Sequence, residues 1–359
     1  MRPGTGGPAR PARPAPRAAA SVPAASAPPA SAPAGIAAEA LAGLTRKRKT
    51  LPAKLFYDAE GCRLFGRITA LPEYYLTRTE RALLQRIAPE IAALAAPDAA
   101  LVEYGASDEA KATLLLDAIP GRFAAYVPID IAGDALAALG IRLRRTHPRL
   151  SVHPVEADFL APFALPTAIA GRPRLGFFPG STIGNLEPAA ARRFLARARR
   201  ALGPEALFLV GADLRKDPAL LLPAYDDAAG VTARFNLNVL VRLNHEAGAD
   251  FDLAAFAHRA VWNEAESRIE MHLVSLRAQA VRVGGTTIRF AAGETIHTEN
   301  SYKNTEAAFT ALAEAAGWGA LRLWTDPGRL FAVHLLGVGR PGALPLDPAG
   351  ALRPQTPVT

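Results

Sequence analysis

Short apolar runs alternate with helix-like segments over the first two thirds of the chain. Five of these runs have the length and composition of buried strands, and they occupy residues 99–104, 124–130, 150–155, 175–178 and 206–213. The segments between them carry apolar residues at helical spacing. Strand–helix alternation of this kind predicts an α/β fold with a parallel, doubly wound sheet.

The alternation of strands and helices ends after residue 213. Residues 218–239 have a helical pattern, and residues 269–276 alternate as a strand does. We expect residues 281–290 to pair with that strand across the turn signal Gly284-Gly285. A helix from about 305 to 316 and a closing hairpin at 322–326 and 330–336 complete the pattern. Nearer the start of the chain, Thr77 and Glu80 predict a capped helix that runs to about residue 94.

The first 40 or so residues contain little besides Pro, Ala, Arg, Ser and Gly. This composition predicts disorder, although an organelle transit peptide has a similar one. Four arginines of this tail contribute half of the net charge of +8. The basic run at residues 46–49 is more typical of a solvated flank than of a nucleic-acid site. We therefore expect no nucleic-acid partner.

The remaining composition narrows the class of protein. Cys62 is the only cysteine, so no internal disulfide and no cysteine-based metal cluster can form. The seven histidines include no HxxxH or HxH pair, so we predict no metal. No apolar run approaches the roughly 20 residues that span a bilayer. We expect a cytoplasmic monomer that does not interact with membranes.

Polar residues end several of the predicted strands. Gly105 follows the first strand and Asp130 ends the second, which is typical of a nucleoside site in which a carboxylate accepts ribose hydroxyls. The turn after the first strand contains neither GxGxxG nor a Walker sequence, so a nucleoside without phosphates fits best there, and S-adenosylmethionine is one. Asp158 and Phe159 follow the third strand and suit an adenine. The alternative is that these are ordinary loop residues.

The fourth strand leads into the turn at residues 180–186, with the sequence GSTIGNL. Open α/β sheets bind ligands at such strand ends. Asn185 can donate and accept hydrogen bonds at once, which suits a small polar substrate. Alternatively, Asn185 caps the helix that follows.

Several long, irregular runs give the chain a specific resemblance over about residues 45–340. Taken together they resemble the L-histidine Nα-methyltransferase family of ergothioneine biosynthesis. The runs are LPEYYLTRTE at 71–80, GSTIGNL at 180–186, AYDDAAGVT at 224–232 with FNLN at 235–238, IEMHL at 269–273 and TENSYK at 298–303.

This resemblance implies a Rossmann-like domain that binds S-adenosylmethionine and a second, smaller α+β domain that binds L-histidine. It implies trimethylation of the α-amine of histidine to hercynine, the first step of ergothioneine biosynthesis. We assign residues 45–85 and 216–302 to the substrate domain, and residues 86–215 and 303–340 to the methyltransferase domain. Residues 1–44 and 341–359 are then tails.

The resemblance also implies roles for individual residues. Tyr75, Asn185 and Tyr225 match residues that hold the amine and carboxylate of the amino acid, and we expect Asn185 and Tyr75 to act in catalysis. Glu299 and Ser301 match the pair that binds the imidazole, which Met271 helps to enclose. The residues that match the cofactor site are Gly105, Lys111, Asp130, Asp158 and Phe159.

One departure and three alternatives remain. Ser107 stands where the family commonly has a second glycine, which adds a side chain near the methionine end of the cofactor. The nearest alternative is an N-methyltransferase for another amino acid, such as an aromatic one, although an indole has little use for both Glu299 and Ser301. A nucleic-acid-binding module and a cofactor-binding pseudoenzyme are the others.

Overall fold

The computed structural model describes residues 34–106 and 109–338. The predicted tail at 341–359, residues 1–33 and Ser107 lie outside this range. The helices in the described ranges are α1 (Ala34–Leu44), α2 (Ala59–Ile68), α3 (Tyr75–Leu94), α4 (Ala112–Ala118), α5 (Gly133–Thr146), α6 (Pro188–Leu202), α7 (Pro218–Tyr225), α8 (Val231–Glu246) and α9 (Glu306–Glu314).

The strands interleave with these helices. In chain order they are β1 (Lys49–Thr50), β2 (Ala99–Tyr104), β3 (Phe123–Asp130), β4 (Ser151–Val152), β5 (Val155–Glu156), β6 (Arg174–Phe178), β7 (Leu207–Asp213), β8 (Phe256–Asn263), β9 (Arg268–Ser275), β10 (Gln279–Val283), β11 (Thr286–Phe290), β12 (Thr295–Tyr302), β13 (Gly319–Thr325) and β14 (Phe331–Gly337).

An eight-stranded sheet forms the centre of the fold. Its strand order is β13-β14-β7-β6-β2-β3-β4, with β5 also paired to β3. The strands from β2 to β7 are parallel, whereas β14 runs antiparallel to both β7 and β13. The prediction of a doubly wound α/β sheet with a closing hairpin is confirmed.

Separate apolar cores cover the two faces of this sheet. On one face, α3, α4 and α5 bury residues such as Leu84, Leu115 and Leu139. On the other face, α6 and α9 bury Phe194 and Phe309 against the strands. Strands covered on both sides must be apolar throughout, which explains why β2 and β7 read as continuous hydrophobic runs.

A four-stranded sheet of order β1-β12-β9-β8 stands beside a separate hairpin of β10 and β11. The predicted turn at Gly284-Gly285 joins β10 to β11. The predicted pairing of residues 281–290 with the strand at 269–276 is wrong, because β9 pairs with β8 and β12 instead. Alternating burial along β9 turns Ile269, Met271 and Leu273 toward a third apolar core, shared with α1, α2 and α8.

The prediction of disorder is also wrong for residues 34–44, the last part of the tail. These residues form α1, which buries Ile36, Ala40 and Leu44 in the third core. The prolines of the tail end at Pro33, and the Ala-rich sequence after it can be helical. Four-residue spacing of the buried positions gives the helix one apolar face.

Two predicted helix bounds also differ. The helix expected to start at Thr77 begins at Tyr75, and Glu80 is buried rather than part of a capping box. The single helix expected over 218–239 is two helices, α7 and α8. Between them, the carboxylate of Asp227 accepts the N–H groups of Val231 and Thr232 in the first turn of α8.

Helix α3 runs through the predicted domain boundary at 85/86. Its residue Leu76 lies in the third core, and Leu83 onward lies in a core of the large sheet. The division into two domains therefore stays a prediction. Within the described ranges, none of the helices combines the length and hydropathy that crossing a bilayer requires.

Candidate active site

Strands β2 and β6 lie side by side at the point where the strand order of the large sheet reverses. Crevices at such points, outside the carboxyl ends of the strands, are where open α/β sheets bind ligands. Gly105 follows β2 with φ +76°, and Gly180 follows β6 with φ +80°. Both glycines adopt a backbone conformation that L side chains rarely reach, so the chain turns sharply on both sides of the crevice.

The residues expected to hold the cofactor gather at this edge. A Cβ on Gly105 would have Phe159 as its nearest neighbour, at 3.7 Å, so the backbone here is open to a ligand. Asp130 is half-buried, and burial raises the pKa of its carboxyl. Asp158 follows β5, the strand paired with β3. A carboxylate, an open glycine and an aromatic ring fit a nucleoside.

Lys111 was expected in the cofactor site, and its ammonium forms an ion pair with Glu80. Glu80 is 1% exposed, and its two carboxylate oxygens accept the N–H of Gly180 at 2.8 and 2.9 Å. A Cβ on Gly211 would approach Glu80 to 2.2 Å, so this glycine leaves room for the carboxylate. Glu80 thus joins α3, Lys111 and the turn after β6, a role the sequence pattern did not predict.

The turn after β6 packs closely against the backbone of β12. Ser181 adopts φ +57° and accepts the N–H of Asp213 at 2.9 Å. A Cβ on Gly184 would meet the carbonyl oxygen of Tyr302 at 2.8 Å, so only glycine lets the two backbones come this close. Strained backbone of this kind is concentrated at functional sites.

Asn185, at the end of this turn, donates its side-chain N–H to Glu299 at 2.7 Å. It does not cap α6, whose cap residue is Glu187, followed by a proline. The alternative of a helix cap is therefore wrong. Glu299 is half-buried, and burial raises its pKa to about 7, with Lys303 opposing the rise. The two residues join the large sheet to the four-stranded sheet.

A small pocket surrounds this pair. Four of the predicted substrate residues besides Asn185 line it. They are Tyr225, Met271, Glu299 and Ser301, and the pocket also contains Tyr57, Phe65, Tyr74, Ser181 and Phe235.

Tyr75 is not among the residues that line this pocket. Its hydroxyl donates to the carboxylate of Asp213 and accepts from Lys216 at 2.7 Å, whereas Tyr74 lines the pocket. Tyr74 precedes α3, and Tyr75 is the first residue of that helix.

Behind the pocket lies a buried polar cluster that sequence reasoning missed. Asp213 ends β7 and is 1% exposed, and Lys303 follows β12 and is also 1% exposed. Their side chains pair at 2.8 Å. Tyr225 and Ser301, in front of them, are hydrogen-bonded to each other at 2.7 Å. In the sequence, the one signal for this cluster was the lysine that ends the run TENSYK.

Glu270, His272 and His297 come together on the other face of β9 and β12. Their possible ligand atoms lie within 4.8 Å of one another, although the sequence has no closely spaced histidine pair. His272 and Glu270 are in hydrogen-bond contact at 3.0 Å, and the two imidazoles stack at 4.7 Å. Arg268 and Asn263 also bind Glu270, so the group is part of an ion-pair network.

The strand order and the crevice at the carboxyl ends of β2 and β6 are those of a Rossmann-like, S-adenosylmethionine-dependent methyltransferase. The model of one family, described as histidine-specific and S-adenosylmethionine-dependent methyltransferases, matches residues 36–338. The chain belongs to this family.

Relatives cover nearly the same range. The chain is 45% identical over 309 residues to the histidine N-alpha-methyltransferase of Mycolicibacterium smegmatis. The match covers 83% of this chain and 95% of that protein. The protein of the same name from Mycobacterium tuberculosis is 42% identical, with 83% and 93% covered. A 4-dimethylallyltryptophan N-methyltransferase of Aspergillus fumigatus is 29% identical, with 80% and 89% covered.

Proposed function

We propose that this enzyme methylates the α-amine of L-histidine three times to give hercynine, the first step of ergothioneine biosynthesis. The observation that carries the proposal is the Asn185–Glu299 hydrogen bond, which lies in a pocket beside the crevice at Gly105 and Gly180. S-adenosylmethionine supplies the methyl group as an electrophile. The names of the two mycobacterial relatives support histidine as the acceptor.

In this proposal the cofactor residues act through shape and hydrogen bonding. The carboxylate of Asp130 accepts the ribose hydroxyls, Asp158 accepts the amine of adenine, and Phe159 covers its ring. Lys111 places its positive charge near the methionine end of the cofactor. Its ammonium lies beside Gly180, at 3.5 Å from where a Cβ on that glycine would be. The ion pair with Glu80 holds the ammonium of Lys111 in this position.

The substrate residues divide between the two ends of histidine. Asn185, Tyr74 and Tyr225 hold the amine and carboxylate, and Tyr74 takes the place that the sequence suggested for Tyr75. Methyl transfer is an in-line displacement, so holding the neutral amine in position is the main requirement. An amide and phenols tolerate an amine that becomes quaternary better than a carboxylate does, because a carboxylate would retain the cation.

Glu299, Ser301 and Met271 receive the imidazole. A carboxylate accepts a ring N–H, and a hydroxyl serves the second nitrogen. Such a site rejects rings that leave its polar groups unpaired. The other candidate is another amino acid such as a tryptophan derivative, as the name of the Aspergillus relative suggests.

Mass spectrometry of the protein incubated with S-adenosylmethionine and single amino acids tests the proposal. We expect histidine to gain three methylene units, with mono- and dimethyl intermediates. Methylation of another amino acid but not of histidine would refute the substrate.

Calorimetry tests the site. Glu299→Ala should weaken histidine binding and leave S-adenosylmethionine binding unchanged, and Asp130→Ala should do the reverse. If both ligands bound Glu299→Ala as tightly as they bind the wild type, the imidazole assignment would be wrong. The expectations of a monomer, a cytoplasmic location, and no nucleic-acid or metal partner stay predictions.

A further inference from the structure

Lys303 lies directly behind the pocket and has no access to it. Its ammonium carries three N–H donors, and each has an acceptor. One is Asp213 at 2.8 Å, the second is the hydroxyl of Tyr225 at 2.7 Å, and the third is the hydroxyl of Ser301 at 2.8 Å. Its backbone N–H and C=O are both bonded to Ser267, so the residue is held from both sides.

These contacts fix how many protons the two hydroxyls can offer. Each hydroxyl oxygen already accepts one N–H from Lys303. The contact of 2.7 Å between Tyr225 and Ser301 uses the proton of one hydroxyl. The other hydroxyl keeps its proton, and both residues line the pocket. We take Ser301 as the hydroxyl that keeps its proton. It then accepts from both Lys303 and Tyr225, so its lone pairs are filled and it can only donate to the substrate, whereas Tyr225 keeps one lone pair.

Glu299 lines the same pocket but accepts hydrogen bonds instead of donating them, because an ionised carboxylate has no proton to donate. Glu299 and Ser301 are two residues apart on β12. A neutral imidazole has one N–H and one bare nitrogen, which match one acceptor and one donor. An indole or a pyrrole has an N–H but no acceptor nitrogen and would leave the hydroxyl proton unpaired.

We propose that Lys303 is a positioning residue that sets the polarity of the Tyr225–Ser301 pair and thereby selects a ring with an acceptor nitrogen. This inference rests on the proposed function, since it assumes that the ring of histidine occupies this pocket. Without the ammonium, the two hydroxyls have spare acceptor positions and can turn to accept from a ring N–H. Loss of Lys303 should therefore relax ring selectivity as well as lower activity.

The wild-type enzyme provides the first test, which depends on no variant. Its kcat/KM is measured for L-histidine and for the pyrrolylalanines, which keep a ring N–H but lack an acceptor nitrogen. We expect a preference for histidine of at least about 100-fold. Equal kcat/KM values would overturn the inference while leaving histidine methylation intact. Absence of histidine methylation would overturn the proposed function and this inference together.

Lys303→Met gives the second test, because it keeps the length of the side chain and removes its three donors. We expect kcat/KM for histidine to fall about 10- to 100-fold and the preference over pyrrolylalanine to shrink by a similar factor. KM for S-adenosylmethionine should stay within about twofold of the wild type. An equal loss for both rings would mean a purely structural role and would overturn the inference.

Lys216 offers a matched control. It is another buried lysine bound to Asp213, at 2.6 Å, but it contacts Tyr75 rather than Tyr225 or Ser301. Lys216→Met should lower stability and leave the ring preference unchanged. If Lys303→Met does not fold, Ser301→Ala replaces it, since removing one hydroxyl of the pair should also reduce the preference. An unchanged preference in Ser301→Ala would count against the inference.

Discussion

Replacing Glu299 with glutamine should stabilise the protein at alkaline pH while it weakens histidine binding. Burial raises the pKa of Glu299 to about 7 from 4.5. The folded protein therefore holds this proton more tightly than the unfolded chain does. In the wild type, the stabilising proton is present below pH 4.5 and is lost as the pH rises through about 7. Glutamine keeps the shape and the contact with Asn185 but carries no charge.

The pKa gives the size of the effect. A tenfold difference in proton affinity corresponds to about 1.4 kcal/mol, so ionising Glu299 in the folded protein costs about 3 kcal/mol. The free energy of unfolding of Glu299→Gln, relative to the wild type, should therefore increase by about 3 kcal/mol between pH 4.5 and pH 8. All other titrating groups are shared by the two proteins and cancel in this difference.

Urea denaturation of both proteins at a series of pH values measures this difference. Glu266→Gln serves as the control, because Glu266 is exposed in the turn between β8 and β9. This variant removes an exposed carboxylate and leaves the pocket unchanged. With saturating histidine the order should reverse, since the ligand stabilises the wild type more than the variant. A pH-independent difference between Glu299→Gln and the wild type would refute the assignment of a destabilising buried charge.

Further changes separate the roles of neighbouring residues. Tyr74→Phe should raise KM for histidine in steady-state assays, whereas Tyr75→Phe should mainly lower stability by about 1–3 kcal/mol, because Asp213 loses a buried donor; the opposite pattern would restore Tyr75 to the pocket. Gly180→Ala should destabilise the protein by about 1–2 kcal/mol in thermal unfolding, owing to its φ of +80°, and an unchanged Tm would contradict this. Glu80→Gln should raise KM for S-adenosylmethionine more than KM for histidine, since it weakens the hold on Lys111, and equal KM values would contradict that role.

The large sheet was predictable because its signal is local. Strands covered on both faces read as apolar runs, and a glycine or a carboxylate marks where they end, as Gly105 and Asp130 do. The four-stranded sheet was less accessible. Strand alternation identified β9, but the partner of a strand depends on contacts far along the chain, so the pairing of residues 281–290 was wrong.

The same distinction applies to the site. Asn185, Tyr225, Glu299 and Ser301 were found because they lie in long runs that resemble one family. The residues that support them from behind are single buried charges, such as Glu80 and Lys303, whose partners are distant in sequence. A charged residue in a sequence is usually exposed, and only the fold shows which ones are buried and paired.

The turn after β6 connects the two halves of the proposed reaction through separate side chains and backbone groups. Its first residue, Gly180, gives its N–H to Glu80, which holds Lys111 beside the cofactor crevice. Near its other end, Asn185 donates to Glu299 in the pocket proposed for the substrate. Methyl transfer requires the amine and the methyl donor to be aligned within a narrow range. A turn that contacts both proposed sites meets this requirement, because it links the position of one site to the position of the other.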